Sequence, residues 1–172
     1  VALRADSWKD PTRDHIRCIE GNVMNEREPN EATGWVAPGD AEIRAFLAAR
    51  PVIAMVGASS RPERPSHGVM AELLVAGYDV IPVNPNETAV HGVRAFPSLA
   101  AIGRTVDLVD VFRRDQHLVG VAHEAVAVGA RMLWLQLGLV SPEAYRIAHA
   151  AGLMVVMDRC LIVEHDRLIG NR

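Results

Sequence analysis

The chain of 172 residues carries 18 Lys and Arg against 21 Asp and Glu, a net charge of −3 with neutral histidines. Its hydrophobic content of 49% fits a folded domain with a core of its own and not a disordered tail. The acidic balance argues against nucleic-acid binding, and no segment approaches the ~18 uninterrupted apolar residues of a membrane helix.

Residues 1–35 are polar, so no secretory leader is expected. Two cysteines, Cys18 and Cys160, cannot build a disulfide framework, and a cytoplasmic location is the expectation. Apart from Lys9 every Lys/Arg position is Arg. A P-loop lysine is therefore absent, and phosphate would be held by arginine forks, backbone N–H groups and hydroxyls.

Residues 1–38 have no sustained period and read as an extension that packs on the main domain or serves a partner; the domain proper is expected over 39–172. A helix is expected from Asp40, which can cap it, with Ile43, Phe46 and Leu47 as its apolar stripe and Pro51 as its end. Strands follow at Val52–Val56, Val80–Val83, Leu108–Phe112, Met132–Leu135 and Leu153–Met157. They are nearly continuous in hydrophobicity, as in a parallel sheet covered on both faces. Between them lie helices near Gly68–Ala76, Gln116–Val128 and Pro142–Ala151, with a short one near Ser98–Ile102. Ser66 can cap the first of these, with Val69, Leu73 and Ala76 inward. Gly77, Gly129 and Gly152 close helices, and Ser141-Pro142-Glu143 opens one. Pro82 cannot donate to a ladder and is placed near the end of its strand. The alternation predicts an α/β fold, a doubly wound, mainly parallel five-stranded sheet with helices on both faces.

Ligands of such sheets bind beyond the carboxyl ends of the strands. Those ends read Gly57-Ala58-Ser59-Ser60, Asn84-Pro85-Asn86, Arg113-Arg114, Gln136-Leu137-Gly138 and Asp158-Arg159-Cys160. The first is the most telling: a buried strand, a Gly-Ala-Ser loop, then a helix whose N-terminus attracts phosphate. Gly57 permits a tight turn facing the phosphate, and Ser59 and Ser60 can donate hydroxyls to it or form a local turn. Arg61 and Arg64 can serve the ligand or pair with Glu63. Of Arg113 and Arg114, one is expected inward and one outward. Asn84 can line the site or close its own loop, and His67 at the helix start is placed to see the ligand.

A dinucleotide fingerprint would need glycine at 57, 59 and 62, where this chain has Gly57, Ser59 and Pro62. The second strand ends in Val83-Asn84-Pro85 without the acid that grips a nicotinamide nucleotide's ribose, Asp79 being the nearest. Cys160 has covalent potential if Arg159 and His165 lower its pKa; otherwise it is a buried structural cysteine. The seven histidines show no zinc-type pairing. No catalytic triad or carboxylate pair can be argued from spacing, so no catalytic residue or metal ligand is assigned.

Gly57-Ala58-Ser59, Arg64-Pro65-Ser66, Pro82-Val83-Asn84-Pro85, Asp110-Val111-Phe112-Arg113, Trp134-Leu135-Gln136-Leu137-Gly138 and Asp158-Arg159-Cys160, in this order, resemble the stand-alone bacterial CoA-binding-domain proteins. That family is similar to the N-terminal domain of the succinyl-CoA synthetase alpha subunit. The resemblance covers roughly Asp40 to Leu168 and implies a Rossmann-like domain that binds coenzyme A or an acyl-CoA. It implies phosphate contacts from Gly57, Ala58, Ser59 and Ser66, with Ser60, Arg64 and Pro65 in the same loop. Asn84, Phe112, Arg113, Gln136, Gly138 and Cys160 would line the cleft. Some family members carry Val-Pro-Pro where Phe112-Arg113-Arg114 stands, and the synthetase's phosphohistidine and second domain have no visible equivalent. The function implied is a CoA carrier, sensor or subunit, with a homodimer or a partner enzyme as its company. The alternative is a nucleotide-dependent oxidoreductase or a thiol enzyme using Cys160.

Overall fold

The computed structural model describes residues 34–170. Cys18 and most of the expected extension lie outside the described residues.

The first helix, α1 (Asp40–Ala48), is capped by Gly39 and not by Asp40, which occupies the first helical turn. The Glu42 carboxylate accepts the Gly39 N–H at 2.9 Å, which frees Asp40 to receive both arms of Arg167 at 2.5 Å. Strand β1 (Ile53–Val56) leads into α2 (Pro65–Val75). Pro65 starts that helix earlier than expected, because its fixed φ suits the first helical position. The backbone of Arg64 is the cap, and Ser66 sits in the first turn with its side chain buried.

Strand β2 (Val80–Val83) is followed by a hairpin of β3 (Ala89–Val90) and β4 (Val93–Arg94). Its turn places His91 at φ 49° and Gly92 at φ 77°, the doubly positive pair of a tight hairpin turn. The hairpin is absent from the sequence-based expectation because two-residue strands show no period. A 3-10 turn at Leu99–Ile102 leads to β5 (Leu108–Val111), α3 (Leu118–Ala127), β6 (Met132–Leu135), α4 (Pro142–Ala150), β7 (Met154–Val156) and α5 (Leu161–Leu168). The last helix is likewise absent from the sequence-based expectation, because it begins Leu-Ile-Val after Cys160 without a polar cap.

The strands form one parallel five-stranded sheet in the order β2-β1-β5-β6-β7. Successive residues of each strand alternate between two cores. Ala54, Val56, Val109, Val111, Leu133, Leu135 and Val155 pack against α3 and α4. Ile53, Met55, Val80, Leu108, Met132, Trp134 and Val156 pack against α1, α2 and α5. Helices therefore cover both faces, and the expected α/β, Rossmann-like architecture is the one observed.

Pro82 lies within the edge strand β2, opposite Met55. Its missing N–H faces away from β1, and its carbonyl accepts the Phe96 N–H at 2.9 Å. At the other edge the indole Nε1–H of Trp35, from the segment read as extension, donates to the Val155 carbonyl at 2.9 Å. Trp35 is itself buried in the core beside α3 and α4.

Candidate functional site

The chain runs outward from β1 to β2 and then jumps back to β5 on the far side of β1. The loops after β1 and β5 therefore diverge, and the crevice between them is where a doubly wound sheet takes its ligand. A cleft of about 780 Å³ opens there.

Its back wall is the turn after β1. Gly57 has φ +89°, and a Cβ built on it would lie 2.4 Å from the carbonyl oxygen of Phe112 at the end of β5. Two strand ends cross here closely enough that only glycine fits. The Gly57 N–H donates to the Val83 carbonyl at 2.8 Å, tying the turn to β2. Ala58 is fully buried beneath the loop, and its carbonyl accepts from Asn84 Nδ2 at 2.8 Å. Asn84 also takes the Asn86 N–H on Oδ1 at 3.0 Å, so it closes its own loop and braces the neighbouring one. The N-terminus of α2 points into the same space, with Arg64, Pro65 and Ser66 on the cleft wall.

One residue here escaped the sequence reading. Glu87 lies four positions past the end of β2, close to where a ribose-gripping acid would stand. Its Oε1 accepts from the Ser60 N–H at 2.9 Å and from Ser59 Oγ at 3.2 Å. The Ser60 contacts foremost hold its carboxyl below the usual carboxylate range. Asp79, the acid weighed for that role, instead pairs with Arg104 at the opposite end of β2.

Four arginines, Arg61, Arg64, Arg113 and Arg114, line the cleft, and none is ion-paired to a described residue. Arg113 and Arg114 both border it, Arg113 half-buried and Arg114 exposed. The wall over β5 and β6 is more apolar, with Phe112, Leu137 and Leu139. Gln136 lies at its base, 5% exposed, and its Nε2 donates to Asp110 Oδ1 at 2.8 Å. Asp110 is fully buried, and its second oxygen, Oδ2, has no hydrogen-bond partner. Burial pushes its carboxyl up to about 7.

Of the residues singled out from sequence, Gly57, Ser59, Arg64, Pro65, Ser66, Asn84, Phe112, Arg113, Gln136 and Cys160 border the cleft. Ala58, Ser60 and Gly138 are not among its lining residues. Gly138 serves the wall indirectly, its N–H donating to Asp158 Oδ1 at 2.7 Å and fixing the loop after β6. His67 does not border the cleft: its Nδ1 meets the Ser59 carbonyl at 3.2 Å and its ring lies 4.0 Å from that of His91. His117, just before α3, is the cleft's histidine.

Activation of Cys160 by its sequence neighbours fails on geometry. Arg159 turns to Glu164 at 3.6 Å, and His165 Nδ1 meets Tyr78 Oη at 2.8 Å. Burial pushes the Cys160 thiol up, away from thiolate character. Among the described residues no cluster of three His, Cys, Asp or Glu could hold a metal, and no helix is long and apolar enough to cross a membrane.

An open, arginine-lined cleft over a glycine turn and a helix N-terminus suits an elongated anion with an apolar arm. Comparison with known proteins agrees with that chemistry. The model of the CoA binding domain matches residues 51–166, which span β1 through most of α5. The protein YneT of Bacillus subtilis, itself uncharacterised, is 44% identical over 128 residues, covering 74% of this chain and 95% of YneT. A hypothetical protein of Pyrococcus horikoshii superposes with a TM-score of 0.76 at 37% identity, covering 86% of this chain and all of the other. The Thermus thermophilus protein ID.343 gives a TM-score of 0.73 at 41% identity, over 76% of this chain and 99% of its own. With a family model over residues 51–166 and a relative 44% identical over 74% of its length, the chain belongs to the CoA binding domain family.

Proposed function

We propose that this cleft binds coenzyme A or an acyl-CoA, and that the protein serves as a carrier, a sensor or the CoA-binding subunit of a partner enzyme. The observation that carries the reading is the convergence of four arginines, none ion-paired to a described residue, with the Gly57 turn and the α2 N-terminus on one crevice. Coenzyme A brings a diphosphate and a ribose phosphate for the cationic part, and its pantetheine arm suits the wall of Phe112, Leu137 and Leu139. Ser59, Ser66 and the backbone around Gly57 would hold the diphosphate, Arg113 an outer phosphate, and Gln136 and Cys160 would flank the far part of the arm.

Mass spectrometry of what the gently purified protein releases on denaturation, paired with calorimetric titration of CoA, tests the reading. Bound CoA or an acyl-CoA supports it, and the acyl group names the chemistry served. Gly57→Val forces a side chain against the Phe112 backbone at a positive φ, so the heat of CoA binding is expected to vanish. Binding unchanged in a folded Gly57→Val protein counts decisively against the site.

A second reading, a nicotinamide-dependent oxidoreductase, draws support from Glu87 beside the first loop and is opposed by Ser59 and Pro62 where that loop would need glycine. Displacement of bound CoA by NADH at comparable concentration would favour it.

A further inference from the structure

Asp110 is unusual for its place: a carboxylate on a central strand, between Met55 of β1 and Trp134 of β6, with no exposed surface. A buried carboxyl group normally finds partners for both oxygens. Here Oδ1 accepts from Gln136 at 2.8 Å and Oδ2 has no partner. Gln136 sits one step nearer the cleft on the same face and borders it. An amide has a donor end and an acceptor end. With Nε2 spent on Asp110, the carbonyl oxygen Oε1 is the end left for the cleft.

Resting on the reading of the cleft as a CoA site, we infer that Asp110 is a positioning residue: it sets which end of the Gln136 amide meets the ligand, and its protonation reverses that end. With Asp110 ionised, the cleft floor presents an acceptor, matched to an N–H of the pantetheine arm or to its terminal S–H. With Asp110 protonated, the carboxyl O–H donates to Oε1, the amide turns over, and Nε2 faces the ligand's donor instead. Donor against donor forfeits the hydrogen bond and leaves both groups unsatisfied. The switch moves one proton onto or off Asp110 and breaks no covalent bond.

Few other charges face this carboxyl. The flanking strands bring Met55 and Trp134, neither of which titrates. At the start of α5 the neighbour is Cys160, on which Asp110 and Glu72 of α2 both act electrostatically. Arg159 and Glu164 are paired with each other beyond it. The rise of the Asp110 carboxyl toward neutrality places the reversal in an accessible pH range.

The test is calorimetric titration of CoA between pH 5.5 and 8.5 on the full chain and on Asp110→Asn. Asparagine keeps an oxygen where Gln136 donates but cannot titrate. Wild-type affinity is expected to rise about tenfold from the low to the high end of that range, one hydrogen bond's worth. Asp110→Asn is expected to hold the high-pH affinity throughout. The phosphates of CoA titrate equally in both experiments, so the difference between the proteins isolates Asp110. Equal pH dependence in the two proteins, or an affinity lowered at every pH in Asp110→Asn, overturns the inference.

A second measurement needs neither ligand nor variant affinity: the nitrogen-15 signal of the Gln136 side-chain amide in the free wild-type protein. A step with pH supports the reversal, and an invariant signal overturns it whatever the cleft binds. Absence of CoA heat at every pH, with that step intact, overturns only the ligand reading.

Discussion

On the face covered by α3 and α4, the strands contribute only aliphatic side chains, from Ala54 and Val56 through Val109 and Val111 to Leu133 and Leu135. On the face covered by α1, α2 and α5, the same strands carry Met55, Pro82, Asp110 and Trp134, with Gln136 next along and Tyr78 and His165 in the surrounding shell. Both faces are hidden from solvent, yet only on the second do the strands themselves carry a buried ionisable side chain. Where the polar groups of that face sit separates two uses. Tyr78 and His165 satisfy each other away from the cleft. Gln136 borders the cleft with Asp110 beneath it, and their pairing is incomplete.

That contrast can be tested by substitution, starting with the apolar face. Leu133 is fully buried there, and Leu133→Ala is expected to cost about 2–5 kcal/mol by urea unfolding. CoA affinity of the folded fraction should not change. A fall in affinity would mean the two faces are coupled.

On the mixed face, pH is the sharper probe. The Asp110 carboxyl lies at about 7 in the folded protein, above its ordinary value of 3.8. Between those values the native state keeps a proton that the unfolded chain has released. Stability from this group is therefore full below ~4, falls as pH rises toward 7 and levels off above, a swing on the order of 4 kcal/mol. Asp40, Asp79 and Glu87 are held low and act in the opposite sense, losing their contribution as pH falls through their lowered values. The comparison is thus wild type against Asp110→Asn at pH 5 and pH 8, where the variant is expected to lack the downward component.

The smallest effect belongs to Tyr78→Phe. It removes an O–H that donates to the Leu47 carbonyl at 3.3 Å and meets His165, at a cost of about 1–2 kcal/mol. Unchanged CoA affinity would confine the role of this pair to packing.

The strands were legible because buried parallel strands are short apolar runs between turn residues, and Gly57 and Ser141 were legible because their local geometry admits few residue types. The β3–β4 hairpin and α5 were not, one too short to show a period and the other lacking a polar cap. Glu87 was missed because its role depends on how far the loop after β2 folds back over Ser59 and Ser60. Asp110 did leave a signal: an acid within Leu108-Val109-Asp110-Val111, a run otherwise fit for burial on both faces. What the run could not state is that Gln136, 26 residues later, would be brought to a hydrogen bond with it.

The two borders of the sheet bear on how copies of this chain can meet. An open border strand is a template for further strands. At β2, Pro82 has no donor to offer a newcomer, and its outward carbonyl already belongs to Phe96. At β7, the outward carbonyl of Val155 belongs to Trp35. A second molecule cannot extend this sheet without displacing a bond at whichever border it approaches. Self-association therefore falls to helix and loop surfaces, and runaway edge-to-edge polymerisation is blocked at both ends.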